Sequence, residues 1–134
     1  MIPGLATKDP LKLCPCIRSF FLDVIEECRE KGVPLVTIET FRDVKRQKYY
    51  VETGVSSTMN SKHLPQQPNN LSLAFDCAPK SVLALKGWAP GHGDWKVYGA
   101  AGKRLGLTWG ADWVTFKDYP HMQLDACCCP KARP

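Results

Sequence analysis

Leu71-Ser72-Leu73-Ala74-Phe75-Asp76-Cys77-Ala78, closed by Pro79, is the stretch on which the fold turns. Its period-two alternation reads as a strand that puts Leu71, Leu73 and Phe75 on one face and Ser72, Ala74 and Asp76 on the other. A carboxylate is thereby set on the face away from the bulky apolar side chains. Upstream, Ser56 to Ser72 carries Pro65, Pro68, Asn60, Asn69 and Asn70, which forbids regular structure over most of that length. Loops this long are functional or disordered.

Before the loop, Pro34 to Phe41 (PLVTIETF) is rich in β-branched residues and reads as a buried strand ending at Arg42. Asp43 is placed to cap a helix from Val44 to about Thr53, with Gly54 as its stop. Further upstream, Ile17, Phe20, Phe21, Val24, Ile25 and Cys28 recur at helical spacing opposite Arg18, Asp23, Glu26, Glu27 and Glu30, and Gly32 ends the pattern. Downstream, a Gly/Pro-rich turn from Gly87 to Gly93 leads to a third helix, with Asp94 as its expected cap and Val97, Ala101 and Leu105 on one face. Gly106 closes it, and short strands follow around Leu107 to Trp109 and His121 to Leu124. Helices and short strands without a βαβ rhythm predict an α+β fold: one small, mainly antiparallel sheet flanked by about three helices.

The chain has 134 residues, 44% hydrophobic and 23% charged, which suits one domain, 1–134, with a core over about 11–124 and a flexible Cys-rich tail over 125–134. No run of about 18 apolar residues is present to cross a bilayer. The first residues lack the basic start and the apolar stretch of about 7 to 15 residues that a secretory signal needs, so synthesis in the cytoplasm is expected. The formal charge of +5 is scattered and favours polyanions, cell wall and nucleic acid alike. Seven cysteines, none in a CxxC pair, argue against a disulfide scaffold. Cys28 and Cys77 read as small buried hydrophobes. Cys14-Pro15-Cys16 and Cys127-Cys128-Cys129 could bind a soft metal or oxidise, although reduced thiols without catalytic duty are the expectation.

Only three histidines exist: His63 in the long loop, His92 in the glycine turn and His121 after Asp118-Tyr119-Pro120. Zinc enzymes bind through three N and O side chains and keep one position for water. His63, Asp76 and His121 are candidates for that set, and Asp118, three residues before His121, is placed to act as a general base. His92 reads as a turn residue at a cleft rim. These spacings match no compact metal motif such as His-Glu-x-x-His.

The order of motifs adds a resemblance. A strand followed by Arg42 and a helix with Gln47, then Ser61-Lys62-His63, Ala74-Phe75-Asp76, Gly106-Leu107-Thr108-Trp109-Gly110-Ala111-Asp112-Trp113 and Asp118-Tyr119-Pro120-His121, resembles one metallopeptidase family. That family holds the vancomycin-resistance D,D-carboxypeptidases and the phage L-alanyl-D-glutamate endopeptidases, with a Hedgehog/DD-peptidase-like fold. The resemblance runs from about Leu11 to Leu124. It implies one Zn2+ held by His63, Asp76 and His121, Asp118 as catalytic base, and Arg42, Ser61 and Gln47 at the substrate. It also implies a peptidoglycan stem peptide as substrate; a short, unanchored chain favours the endopeptidase cut between L-alanine and D-glutamate, with a D-alanyl-D-alanine carboxypeptidase as the alternative.

On this resemblance the chain is expected to be a monomeric phage endolysin that reaches the wall through a holin-type pore or from a phage particle. Two departures stand out: a longer, proline-bearing link between His63 and Asp76, and Ala111 where glycine is common. Two rival readings remain. One is a zinc-containing wall-binding protein that no longer catalyses, and the other a nucleic-acid-binding module with Lys45, Arg46 and Lys48 on one helix.

Overall fold

A computed structural model of the protein describes residues 2–127. In chain order its elements are β1 (Ala6–Thr7), α1 (Pro15–Glu30), β2 (Leu35–Glu39), β3 (Phe41–Arg42), α2 (Val44–Glu52), β4 (Ala74–Pro79), α3 (Gly93–Arg104), β5 (Thr108–Trp109) and β6 (His121–Gln123). Four strands form one antiparallel sheet in the order β2-β4-β6-β5, and β1 and β3 make a separate two-stranded ribbon. Three helices and small antiparallel sheets make this the α+β fold expected from the sequence.

One side of the sheet packs on α1 and α3. Phe75 meets Phe21 edge-on at 5.1 Å between ring centroids, and Ile17, Val24 and Cys28 of α1 complete that layer. On α3 the buried residues are Trp95, Tyr98, Gly99, Ala101 and Gly102, whereas Val97 and Leu105 are only partly covered. The face expected from Val97 and Leu105 is thus rotated toward the glycines, and contact explains why. A Cβ at Gly99 would run into the Trp109 indole, so α3 lies against β5 as closely as a bare backbone permits.

Three further expectations shift. The strand expected over 34–41 breaks at Thr40, whose hydroxyl is drawn to the Thr7 and Asp9 carbonyls at 3.1 and 2.8 Å, and β2 is a half-covered edge strand rather than a buried one. The strand read from Leu71 starts at Ala74, because Ser72 and Leu73 spend their backbone N–H groups on Lys12 and Lys62 carbonyls. The cap of α3 is His92, whose Nδ1 accepts from the Asp94 amide at 3.0 Å, while Asp94 accepts a hydrogen bond from Ser81. Asp43 does cap α2, accepting from the Arg46 amide at 2.9 Å.

Candidate metal centre

Strand register builds the centre. Antiparallel pairing sets Glu39 of β2 opposite Asp76 of β4, and Asp76 opposite His121 of β6, giving one row of chemistry-bearing side chains across three strands. A bulge between Thr37 and Glu39 lets the carboxylate of Glu39 join that row. His63 enters from the long loop, which is held by Leu73 N–H to Lys62 O at 2.9 Å and by Arg42 N–H to His63 O at 3.1 Å. The longer link between His63 and Asp76 therefore leaves both ends fixed.

His63 Nε2 lies 3.0 Å from Asp76 Oδ1, and His121 Nδ1 lies 3.3 Å from the same oxygen. The histidine ring centroids are 5.0 Å apart. One ligand atom from each of the three residues falls within 4.8 Å of the others. His63 and His121 are buried, and Asp76 is half-buried at the floor of a cleft of about 630 Å³. Metal–nitrogen and metal–oxygen bonds of about 2.0–2.2 Å in a tetrahedron separate ligand atoms by about 3.3–3.6 Å. The 3.0 and 3.3 Å separations lie within a few tenths of an ångström of that, and the N and O donor set suits a zinc-like ion. His63 Nδ1 is buried with no hydrogen-bond partner among the described residues, a polar atom left over in a site otherwise paired.

His121 is oriented from behind. Its Nε2 donates to Gln123 Oε1 at 2.8 Å, which leaves Nδ1 turned to Asp76; the Gln123 amide donates to Asp125, which in turn accepts from Thr108. The Trp113 ring lies 5.0 Å from the His121 ring and covers its outer side. Tyr98, fully buried, donates to the Pro120 carbonyl at 2.7 Å and anchors the turn just before His121.

Asp118 lines the same cleft. Burial raises its carboxyl above the usual range, the Asp76 charge adds to that, and His121, His63 and Arg42 oppose it. Burial would also raise Asp76, but the positive charge of His63 and hydrogen bonds from both histidines outweigh it and hold its carboxyl well below the usual range. Burial works to lower His121, and its hydrogen bond and attraction to Asp76 reverse this to a raised value. Two carboxylates in one cleft are thus driven in opposite directions, the pattern that separates a ligand from a proton acceptor.

Arg42 reaches the cleft from β3 with its fork already engaged: Nε donates to Glu39 at 2.6 Å and Nη1 to Gln47 Oε1 at 2.8 Å, and its guanidinium lies over the Tyr50 ring at 4.8 Å. Gln47 is fully buried, and its amide nitrogen donates to Ser56 and to the Thr58 carbonyl. Ser61 lines the cleft and its hydroxyl accepts from the His63 amide at 3.2 Å. Glu39 and Gln123 are the residues sequence reading passed over. Lateral register alone exposes Glu39, and only the i+2 step along β6 after His121 hints at Gln123. Arg46, one of the three basic residues of the nucleic-acid reading, donates to the Pro3 and Gly4 carbonyls.

Two buried histidines and a half-buried aspartate at the floor of an open cleft on a small α+β sheet make a candidate centre of the kind metallopeptidases use. Residues 55–124, just over half of the chain, match the peptidase M15 model described as D-alanyl-D-alanine carboxypeptidase, and the chain belongs to that family. It is 31% identical over 102 residues to the L-alanyl-D-glutamate peptidase of Listeria phage A118, covering 76% of this chain and 34% of the relative. It is also 31% identical over 104 residues to the peptidoglycan L-alanyl-D-glutamate endopeptidase CwlK of Bacillus subtilis, covering 70% of this chain and 62% of that one. The chain thus spans about a third of the first relative's length and under two thirds of the second's. Among solved structures, the Serratia marcescens L-Ala D-Glu endopeptidase ChiX superposes with a TM-score of 0.61 at 26% identity, over 87% of this chain and 84% of that one.

Proposed function

We propose that the protein is a zinc-dependent peptidoglycan peptidase that hydrolyses the bond between L-alanine and D-glutamate in the stem peptide, as a phage endolysin does. The observation that carries this reading is the trio His63 Nε2, Asp76 Oδ1 and His121 Nδ1, spaced 3.0 and 3.3 Å apart on a buried floor with Asp118 on the wall of the same cleft. The relatives from Listeria phage A118 and Bacillus subtilis bear L-alanyl-D-glutamate peptidase names.

In this mechanism His63, Asp76 and His121 would hold the ion, which would supply a lowered water pKa, toward about 7, and polarisation of a carbonyl. Asp118 takes the proton of the attacking water, for which its raised pKa suits it, and passes that proton to the departing D-glutamate nitrogen. Arg42 steadies the carbonyl oxygen or a neighbouring carboxylate of the stem peptide through the planar fork that lysine lacks. Glu39 and Gln47 keep that fork aimed. Gln47 acts on substrate through Arg42 and the 56–58 wall, and Ser61 fixes the backbone turn that presents His63.

The family model's description names a D-alanyl-D-alanine carboxypeptidase, so the experiment compares two synthetic stem peptides. One contains an internal L-Ala–D-Glu bond and the other ends in D-Ala-D-Ala. Release of L-alanine with a new D-glutamate amino end, dependent on added zinc and lost with chelator, supports the endopeptidase. Release of D-alanine alone assigns the carboxypeptidase, and cleavage of neither by metal-loaded protein refutes a peptidase.

A further inference from the structure

We propose that Cys14, Cys16 and Cys127 form a second metal site in the reduced protein: a three-thiolate centre for a borderline-to-soft divalent ion such as Zn2+, fastening the segment after β6 to the start of α1. It is separate in residues and in chemistry from the His/Asp centre. Cys14 Sγ lies 3.6 Å and Cys16 Sγ 3.8 Å from Cys127 Sγ, and all three sulfurs fall within 4.8 Å of one another. Metal–sulfur bonds of about 2.3 Å in a tetrahedron set neighbouring sulfurs about 3.8 Å apart, which the two separations from Cys127 match.

The surroundings favour thiolates. Cys14 is the N-cap residue of α1 and Cys16 its second residue, at the helix end whose dipole stabilises negative charge. The Asn69 amide lies 3.5 Å from Cys14 Sγ and supplies a donor toward the sulfur. The scaffold is fixed in advance: Cys14 N–H donates to Ser72 O at 2.9 Å, and Arg18 holds the Leu13 carbonyl at 3.0 Å. Cys14 is fully buried, Cys16 is 7% exposed and Cys127 is half-buried, a largely shielded setting that suits a structural ion.

The expectation of thiols throughout does not hold at Cys16, which is disulfide-bonded here, so the metal form belongs to the reduced chain. A dithiol reductant supplies two electrons and two protons to that disulfide, yields two thiols and becomes a disulfide itself. One divalent ion then displaces three protons from Cys14, Cys16 and Cys127. Cys128 and Cys129 lie outside the described residues.

The test is metal stoichiometry and cobalt absorption on the full chain, reduced anaerobically and after oxidation. Two zinc ions per reduced chain are expected, falling to one after oxidation and in Cys14→Ser or Cys16→Ser. His63→Ala should keep one ion, and with Co2+ it should show thiolate-to-metal charge-transfer absorption that the cysteine variants lose. Mapping of alkylated peptides on unsubstituted protein should show Cys14 and Cys127 protected only when zinc is present, which decides the matter even if a serine variant folds poorly. A reduced, zinc-replete chain holding a single ion that His63→Ala abolishes, with alkylation of Cys14 and Cys127 indifferent to zinc, overturns the proposal.

Discussion

Replacing Gln123 tests whether the metal affinity of the centre depends on the hydrogen bond behind His121. Gln123 Oε1 accepts from His121 Nε2 at 2.8 Å and so fixes the tautomer that leaves Nδ1 facing Asp76. Partners of this kind are worth about 10- to 100-fold in metal affinity. Gln123→Met keeps the length of the side chain and removes the acceptor, so its metal Kd should rise by about that factor, equivalent to about 1.4–2.7 kcal/mol. With free zinc at about 100 times the unsubstituted Kd, metal stabilises the fold by about 2.7 kcal/mol, and a Kd raised 10- to 100-fold leaves about 1.4 to 0.4 kcal/mol. For a domain of this size the zinc-induced rise in Tm should shrink by about 4–10 °C. Gln123→Glu retains the acceptor, at the cost of an exposed contact to Asp125, and should keep most of the affinity. Chelator competition gives Kd and thermal melts with and without zinc give the linkage. Equal zinc affinity in Gln123→Met and the unsubstituted chain, or equal losses in the Met and Glu variants, would refute the argument.

Other perturbations have outcomes set by the same geometry. Asp118→Asn removes a carboxylate whose ionisation burial opposes, so metal-free protein at neutral pH should melt higher than the unsubstituted chain while stem-peptide hydrolysis drops by about 10²- to 10⁴-fold. Asp76 and His121 together favour the metal-free fold most between about pH 4 and 6.5, while Asp118, raised in the fold, opposes it as pH rises above about 3.9. Asp76, depressed in the fold, loses its contribution as pH falls below the unfolded value of about 3.9. His121, raised in the fold, contributes fully below about 6.5 and loses that as pH rises through its folded value; a Tm profile across pH 3–9 on stripped protein reads both limbs. Gly110→Ala drives a methyl into the Asp118 carbonyl and to 3.0 Å from His121 Cβ, and should cost about 1–3 kcal/mol in denaturant melts together with most of the activity. Gln47→Leu frees one arm of Arg42 and the 56–58 wall, so KM for the stem peptide should rise more than kcat falls, with zinc content unchanged.

Local signals were read well from the sequence where one segment carries the whole message. The Asp43 cap, the stripe of α1 and the face of β4 that holds Asp76 are of this kind. Reading failed where two distant segments decide together. His92 outcompetes Asp94 as a cap because Ser81 binds the Asp94 carboxylate, and nothing near residue 94 announces that. The ribbon of β1 and β3 is two residues long on each side, below any periodicity. The closeness of His63, Asp76, His121 and Asp118 was approachable through the order of motifs, but Glu39 joins the row only through a bulge and the lateral register of three strands. The resemblance places Gln47 at the substrate, and the structure adds its complete burial and the hydrogen bonds of its carboxamide with Arg42, Ser56 and Thr58, which no local pattern announces.

Mass analysis of cross-linked peptidoglycan after incubation with the protein tests the central claim most directly, run with zinc-loaded chain, stripped chain and Asp118→Ala. Fragments bearing new D-glutamate amino ends should appear only with the loaded, unsubstituted chain. Fragments that lack only a terminal D-alanine, or the same products from stripped or Asp118→Ala protein, would contradict it.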